Sequence, residues 1–281
     1  MLKILIWECE EVVQQGEQQA VKAIVVFDID GVIRDVGGSY RRALADTVEH
    51  YTDQAYRPSM QDIDALKSEG VWNNDWEASR EMIDRYRKQQ GRDDPSGETV
   101  LSYQDIVAFF QSRYRGPDPD HWTGYICDEP LLLRPSYLES LTQADMRWGF
   151  FSGATRGSAS YVLEKRLGLR SPTLVAMEDA PGKPDPTGLF DTIQQLEPQD
   201  TAPIPVIYVG DTVADMQTVK NAQQVYSLRQ WIGVGILPPH AQNPPEYAAT
   251  YTKTLEQSGA TIVLTNVEQL TPTLVLELLQ K

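Results

Sequence analysis

Four short polar clusters, each placed after an apolar run or a tight turn, carry the residue types that phosphoryl chemistry uses. The run Ala23 to Phe27 leads straight into Asp28-Ile29-Asp30-Gly31-Val32. A carboxylate such as Asp28 can attack phosphorus and form an aspartyl-phosphate. Asp30, two residues on, can protonate a leaving oxygen and then deprotonate an attacking water. Gly31 lets the chain turn away sharply. Trp148 to Phe151 leads into Ser152-Gly153-Ala154-Thr155, where a hydroxyl and free backbone N–H groups suit an anionic oxygen. Lys183, stiffened by Gly182 and Pro184, can set one positive charge against a phosphoryl group and the Asp28 carboxylate. Pro205 to Val209 leads into Gly210-Asp211, and Asp215 follows at helical spacing. Asp211, supported by Asp215, offers the oxygen ligands that a hard cation such as magnesium takes.

Taken singly, each cluster also reads as a turn, a helix N-cap or a surface lysine. All four in this order, each at a strand end, are much harder to explain that way. Three acidic residues at one sheet edge repel one another, which itself argues for a bound metal.

The elements that must position these residues are legible as well. The apolar runs Ala23 to Phe27, Trp148 to Phe151, Thr173 to Met177, Pro205 to Val209, Ile232 to Ile236 and Thr261 to Leu264 are nearly continuous. Such runs are expected of strands buried on both faces of a parallel sheet. Amphipathic stretches lie between them, best seen at Ala159 to Leu167 and Asp211 to Gln223. This alternation predicts an α/β fold with a doubly wound parallel sheet. Ligands of such sheets bind beyond the carboxyl ends of the strands, where the four clusters fall. Residues 36–135 break the pattern and read as four helices: Tyr40 to Tyr51, Met60 to Ser68, Asp75 to Gln89 and Tyr103 to Tyr114. The division expected is an N-terminal extension (1–22), an α/β core (23–35 and 136–281) and an inserted all-α domain (36–135). Within the extension, Leu2 to Trp7 reads as a further edge strand.

Composition narrows the function classes. The chain has 281 residues and a net charge of -15. That charge argues against nucleic acid or an anionic membrane as a partner; a small phosphorylated metabolite, the partner expected from the four clusters, would have to be held by local positive groups against the global field. Two cysteines, Cys9 and Cys127, and three scattered histidines, His50, His121 and His240, form neither a disulfide framework nor a zinc site. No apolar run reaches the roughly 18 residues of a membrane span. Glu8, Glu10 and Glu11 end the Leu2 to Trp7 run too early for a signal peptide, so the expected compartment is the cytoplasm. Nothing in the sequence fixes the oligomeric state.

The quartet resembles the signature motifs of the haloacid dehalogenase-like (HAD) hydrolase superfamily. Asp28-Ile29-Asp30-Gly31-Val32 is similar to the first motif, Ser152 to the second, Lys183 to the third, and Gly210-Asp211 with Asp215 to the fourth. The resemblance implies a sheet of order 5-4-1-2-3 with the site at its carboxyl edge. A helical insertion between the first two motifs resembles the C1 cap of subfamily IA, as in phosphoglycolate phosphatase and β-phosphoglucomutase. Carried over, Asp28 is nucleophile and magnesium ligand. Asp30 is the general acid/base, and its backbone carbonyl is a further ligand. Ser152, Gly153 and Lys183 hold the phosphoryl group, and Asp211 binds magnesium with Asp215 in support. Dehalogenases and phosphonatases lack an acid at the Asp30 position, so its presence points to phosphate esters. Asp35 to Arg42 and Asn73-Asn74-Asp75-Trp76 resemble a less characterised IA group with cyanobacterial members. Some of its relatives are joined to a histidinol-phosphate aminotransferase, which implies an amino-acid pathway substrate.

A cap of this kind closes over the site and selects the substrate. Arg41, Lys67, Asn73, Asn74 and Trp76 are its expected substrate-facing residues; they read equally well as cap core, helix caps and surface ion pairs. The expected function is a magnesium-dependent phosphatase of a small phosphate monoester. A phosphomutase using the same residues and a non-catalytic scaffold domain stand as alternatives.

Overall fold

Six parallel strands form one sheet in a computed structural model that describes residues 20–72, 74–91, 101–197 and 202–280. The strands are β1 (Ala23–Phe27), β2 (Met146–Phe151), β3 (Leu174–Val175), β4 (Val206–Gly210), β5 (Trp231–Ile236) and β6 (Ala260–Leu264), in the order β3-β2-β1-β4-β5-β6. This is the expected five-strand order with β6 added beside β5. The expected edge strand Leu2 to Trp7 lies outside the described residues.

Alternation within β1 builds both layers around the sheet. Ala23, Val25 and Phe27 point to one face, where they join Leu138 of α5 (Pro135–Gln143) and Val275 of α10 (Pro272–Leu279). Ile24 and Val26 point to the other, against Leu189 and Ile193 of α7 (Thr187–Leu196) and Val219 of α8 (Val213–Val225). All five β1 side chains are fully buried, which is why the run is apolar at every position. The edge strand β3 is shorter than its sequence suggests. After Val175 the chain turns, Asp179 N–H donating to Ala176 O at 3.0 Å and Ala176 N–H, on the open edge of the sheet, donating to the Asp179 carboxylate at 2.7 Å. The expected helix from Ala159 begins earlier, at α6 (Arg156–Ser160), and continues as a π-helical segment, Tyr161–Arg166.

The inserted segment contains α1 (Tyr40–Tyr51), α2 (Met60–Lys67), α3 (Asp75–Gln89) and α4 (Tyr103–Tyr114). These pack on an apolar cluster of their own, including Leu44, Ile63, Ile83, Ile106 and Phe110. Two linkers join it to the sheet and pair with each other. Asp35 N–H donates to Pro130 O at 2.8 Å, and Leu132 N–H donates to Ile33 O at 2.8 Å. No described helix is long and apolar enough to cross a membrane.

Polar contacts hold the inserted helices against the sheet and its flanking elements on two sides. Arg115 Nη2 donates to Ser158 Oγ at 2.9 Å. On the other side Asp64 of α2 collects Arg41 at 2.6 Å, His240 at 3.1 Å and the hydroxyl of Tyr247, which lies on α9 (Pro245–Ser258). Burial alone would raise the Asp64 carboxyl, but Arg41, then His240 and Tyr247, outweigh it and hold the group at about 2. A carboxylate with a lowered folded-state pKa adds stability above its unfolded value and loses it as the pH falls through the folded value. Asp64→Asn is therefore expected to destabilise the protein near neutrality, since it leaves buried Arg41 uncompensated. The part carried by ionisation, about 2 kcal/mol, should vanish as the pH drops from about 4 toward 2. Thermal melts of both proteins across that range would show the gap narrowing; a pH-independent gap would contradict the account.

Candidate active site

Strand register brings the four sequence clusters to one edge. Phe27 of β1 lies opposite Phe150 of β2 and Val209 of β4. The residues that follow, Asp28, Ser152 and Asp211, therefore emerge together beyond the carboxyl ends of the three central strands. Asp28 still belongs to the ladder, its N–H donating to Val209 O at 2.8 Å. Lys183 arrives on the loop before α7 and reaches inward. Its Nζ lies 2.8 Å from Asp28 Oδ1 and 2.7 Å from Asp215 Oδ1. The ammonium also sits over the rings of Phe151 and Tyr208, at 5.2 and 5.4 Å from their centroids.

Asp215 and Asp211 differ in what surrounds them. Thr212 N-caps α8 in a capping box with Asp215. Asp215 Oδ2 accepts from Thr212 N at 3.0 Å and from its hydroxyl at 2.6 Å, while Oδ1 accepts from the Tyr208 hydroxyl at 3.0 Å and from Lys183. These donors use both oxygens, and despite burial Lys183 and Thr212 keep the Asp215 carboxyl below its usual value. Asp215 is an anchor for Lys183 more than a free ligand. The Asp211 carboxylate has no donor among the described residues, and burial, with Asp215 and Asp28 nearby, pushes it well above the usual range. Burial likewise pushes the Asp28 carboxyl up to about 7, even with Lys183 beside it.

A hard divalent cation fits this arrangement. Oxygens of Asp28, Asp211 and Asp215 lie within 4.8 Å of one another, all buried. Buried like charges at such spacing need a positive partner, and Lys183 serves only Asp28 and Asp215. Backbone space is part of the design. A Cβ on Gly31, whose φ is +75°, would sit 2.0 Å from Asp211 Oδ2, and one on Gly210 would sit 2.3 Å from Asp215 Cβ. No other residue type leaves room for those carboxylates.

Asp30 and Ser152 complete the edge. Ser152 is buried, and its Oγ accepts from Ala154 N at 3.1 Å, which leaves its own proton for a ligand. Asp30 is partly open at the foot of a narrow cleft, with Gly153 and Thr155 on the sheet side and Tyr40, Asn74, Asp75, Trp76, Gln111 and Tyr114 on the side of the inserted helices. One oxygen of Asp30 is gripped by Arg34, at 2.6 Å from Nε and 2.5 Å from Nη2. Arg34 is fully buried and also pairs with Glu129 at 2.8 Å. Burial pushes the Glu129 carboxyl up to about 7, with Arg34 only partly opposing this.

The expected substrate-facing residues of the cap are distributed unevenly. Asn74 N-caps α3, its Oδ1 accepting from Trp76 N at 3.0 Å, and both Asn74 and Trp76 line the cleft. Arg41 is buried and engaged by Asp64; Lys67 is buried and lies 2.7 Å from Asp75. Asn73 lies outside the described residues. The sequence reading passed over Arg34, Glu129 and Asp75. Arg34 sits only four residues after Asp30, but nothing in that spacing sets it apart from a surface arginine. Its partner Glu129 is 95 positions away.

Residues 22–223 match the haloacid dehalogenase-like hydrolase family. The chain is 28% identical over 247 residues to an imidazoleglycerol-phosphate dehydratase of Phytophthora nicotianae, covering 86% of this chain and 50% of that protein. It thus spans about half the length of that curated relative. Among solved structures, a phosphonoacetaldehyde hydrolase-like protein of Oleispira antarctica superposes with a TM-score of 0.64 at 17% identity, covering 100% of this chain and 97% of the other. Phosphatase Tt82 of Thermococcus thioreducens gives 0.56 at 22% identity, over 75% and 92%. A HAD family hydrolase of Deinococcus radiodurans, solved with bound phosphate and sodium, gives 0.57 at 17% identity, over 90% and 95%. At these identities the structural matches speak for the fold alone. The family match covers most of the chain, and the chain belongs to the haloacid dehalogenase-like hydrolases.

Proposed function

We propose that this hydrolase is a magnesium-dependent phosphatase of a small phosphate monoester, acting through an aspartyl-phosphate on Asp28. The observation that carries the reading is the placement of Asp28 against Lys183, with Asp211 beside it and Asp30 on the open side of the same edge. In the first step an Asp28 oxygen bonds to phosphorus as the ester P–O bond breaks, and Asp30 gives its proton to the departing alcohol. In the second, water bonds to phosphorus, Asp30 takes its proton, and the bond to Asp28 breaks to release phosphate. Lys183 and the Ser152 hydroxyl offset charge on the phosphoryl oxygens. Magnesium, held by Asp28, Asp211 and the Asp30 carbonyl, supplies further positive charge at that group when bound. An acid at position 30 supports ester chemistry over carbon–halogen or carbon–phosphorus cleavage. The name of the Phytophthora relative supports testing phosphorylated imidazole alcohols among the first esters.

Arg34 is a positioning residue in this scheme. Its double contact fixes one oxygen of Asp30, whose side chain lines the cleft. The Arg34–Glu129 pair ties that position to the linkers through which the cap joins the core.

Phosphate release from p-nitrophenyl phosphate tests the reading. It should require magnesium, stop on chelation, and fall about a thousandfold or more in Asp28→Asn with the fold retained. Unchanged turnover in that variant would remove the proposed nucleophile. Arg34→Met should slow esters of poor leaving alcohols about tenfold to a hundredfold more than p-nitrophenyl phosphate, whose leaving oxygen needs little protonation. Arg34→Lys should recover part of the loss. Because Arg34→Met strands a buried carboxylate, at a cost of about 3–5 kcal/mol, Arg34→Met/Glu129→Gln is the stable background for the comparison. Equal losses for both ester types would assign Arg34 to folding alone.

A further inference from the structure

We propose that the alcohol released by this enzyme carries a protonated nitrogen, and that the open oxygen of Asp75 receives it in the cleft above Asp30. The inference rests on the phosphatase reading and names its substrate class.

Charge around the leaving group is the reason. Asp30 and Asp75 both face the cleft, one from the core and one from the cap. Arg34 is the one basic residue among the described residues lining the cleft, and the lysines and arginines behind it are paired with acids, except Arg115, which donates to the hydroxyls of Thr155 and Ser158. Lys183 is held by Asp28 and Asp215, Arg34 by Asp30 and Glu129, Arg41 by Asp64, and Lys67 by Asp75. An anionic leaving group, such as one bearing a carboxylate, would enter against two carboxylates with no unpaired cation in the cleft wall to meet it.

Asp75 is also incompletely served. Lys67 Nζ lies 2.7 Å from Oδ1, and the Asp75 side chain, part of the cleft lining, keeps 22% exposure. Its carboxyl lies above the usual range because burial outweighs the contact with Lys67, so a second positive partner would relieve a standing cost. Nearby, Gln111 Oε1 is buried with no hydrogen-bond partner, a further acceptor waiting for a donor. The rings of Tyr40 and Trp76 complete the wall, and aromatic faces favour a cation over an anion. Two acceptors and aromatic rings, in a wall without a free cation, favour an ammonium or imidazolium over a carboxylate.

The test compares kcat/KM of the full chain, with magnesium, for four esters: phosphoethanolamine and histidinol phosphate as cationic, glycerol 3-phosphate as neutral, and phosphoglycolate as anionic. p-Nitrophenyl phosphate is the common reference. The cationic esters are expected to exceed phosphoglycolate by about tenfold or more, the scale of one charge-assisted hydrogen bond. Asp75→Asn should compress or reverse that ratio, because it removes the acceptor charge and releases Lys67. Release from p-nitrophenyl phosphate with phosphoglycolate or glycerol 3-phosphate equal to or better than both cationic esters would overturn the leaving-group assignment and leave the phosphatase reading standing. A wild-type preference that survives unchanged in Asp75→Asn would overturn the role of Asp75. If that variant does not fold, the wild-type ratios decide. No release from any ester, p-nitrophenyl phosphate included, would overturn the phosphatase reading and this one with it.

Discussion

The rest of the site depends on one buried ammonium. Lys183 lies between Asp28 and Asp215 with almost no exposure to water, and it is the reason those carboxylates can share a dry sheet edge. The surrounding structure serves that contact. Asp215 is fixed by Thr212 and Tyr208 so that it can hold the lysine. Gly210 and Gly31 omit side chains where a Cβ would collide with Asp215 and Asp211. One lysine cannot satisfy three acids, so Asp211 stays without a positive partner, and that shortage turns the cluster into a place for a cation.

A second buried ion pair extends the same logic outward. Arg34 grips Asp30 with one part of its guanidinium and Glu129 with another. Buried pairs of this kind contribute little net stability, because desolvation consumes most of the Coulomb gain; what they fix is geometry. Here the geometry is that of the proposed acid relative to two paired linkers. The placement of the inserted helices and that of Asp30 therefore share one set of contacts. On the far side, Asp64 joins α1 and α2 to His240 and Tyr247 of the core. The cap is held from both flanks, over Asp30.

Much of the fold was legible in local pattern. The helices Tyr40–Tyr51, Asp75–Gln89 and Tyr103–Tyr114 have the bounds their periodicity implies, since one apolar face per helix suffices to build the cap core. The central strands were legible because burial on both faces demands an unbroken apolar run. β3 is shorter than its apolar run because the chain turns after Val175 around the Asp179 carboxylate, and no local pattern announces that turn. By their place near the first hinge and a helix-helix loop, Arg41 and Lys67 read equally well as substrate-facing residues and as members of ion pairs. Both turn into ion pairs, with Asp64 and Asp75. In a chain of net charge -15, carboxylates are close enough in space to claim most cations first.

The sequence by itself determined the kind of sheet and the residues that its carboxyl edge presents. Parallel strands must be apolar on both faces, and the polar residue that ends each one must emerge at the same side. The tertiary structure alone decided which charges neutralise each other. Pairings such as Arg34 with Glu129, Lys67 with Asp75 and Lys183 with Asp215 join positions far apart or on different elements. Coulomb energy depends on distance and burial, neither of which is written in residue order. That allocation left Asp211 short of a positive partner and one oxygen of Asp75 open.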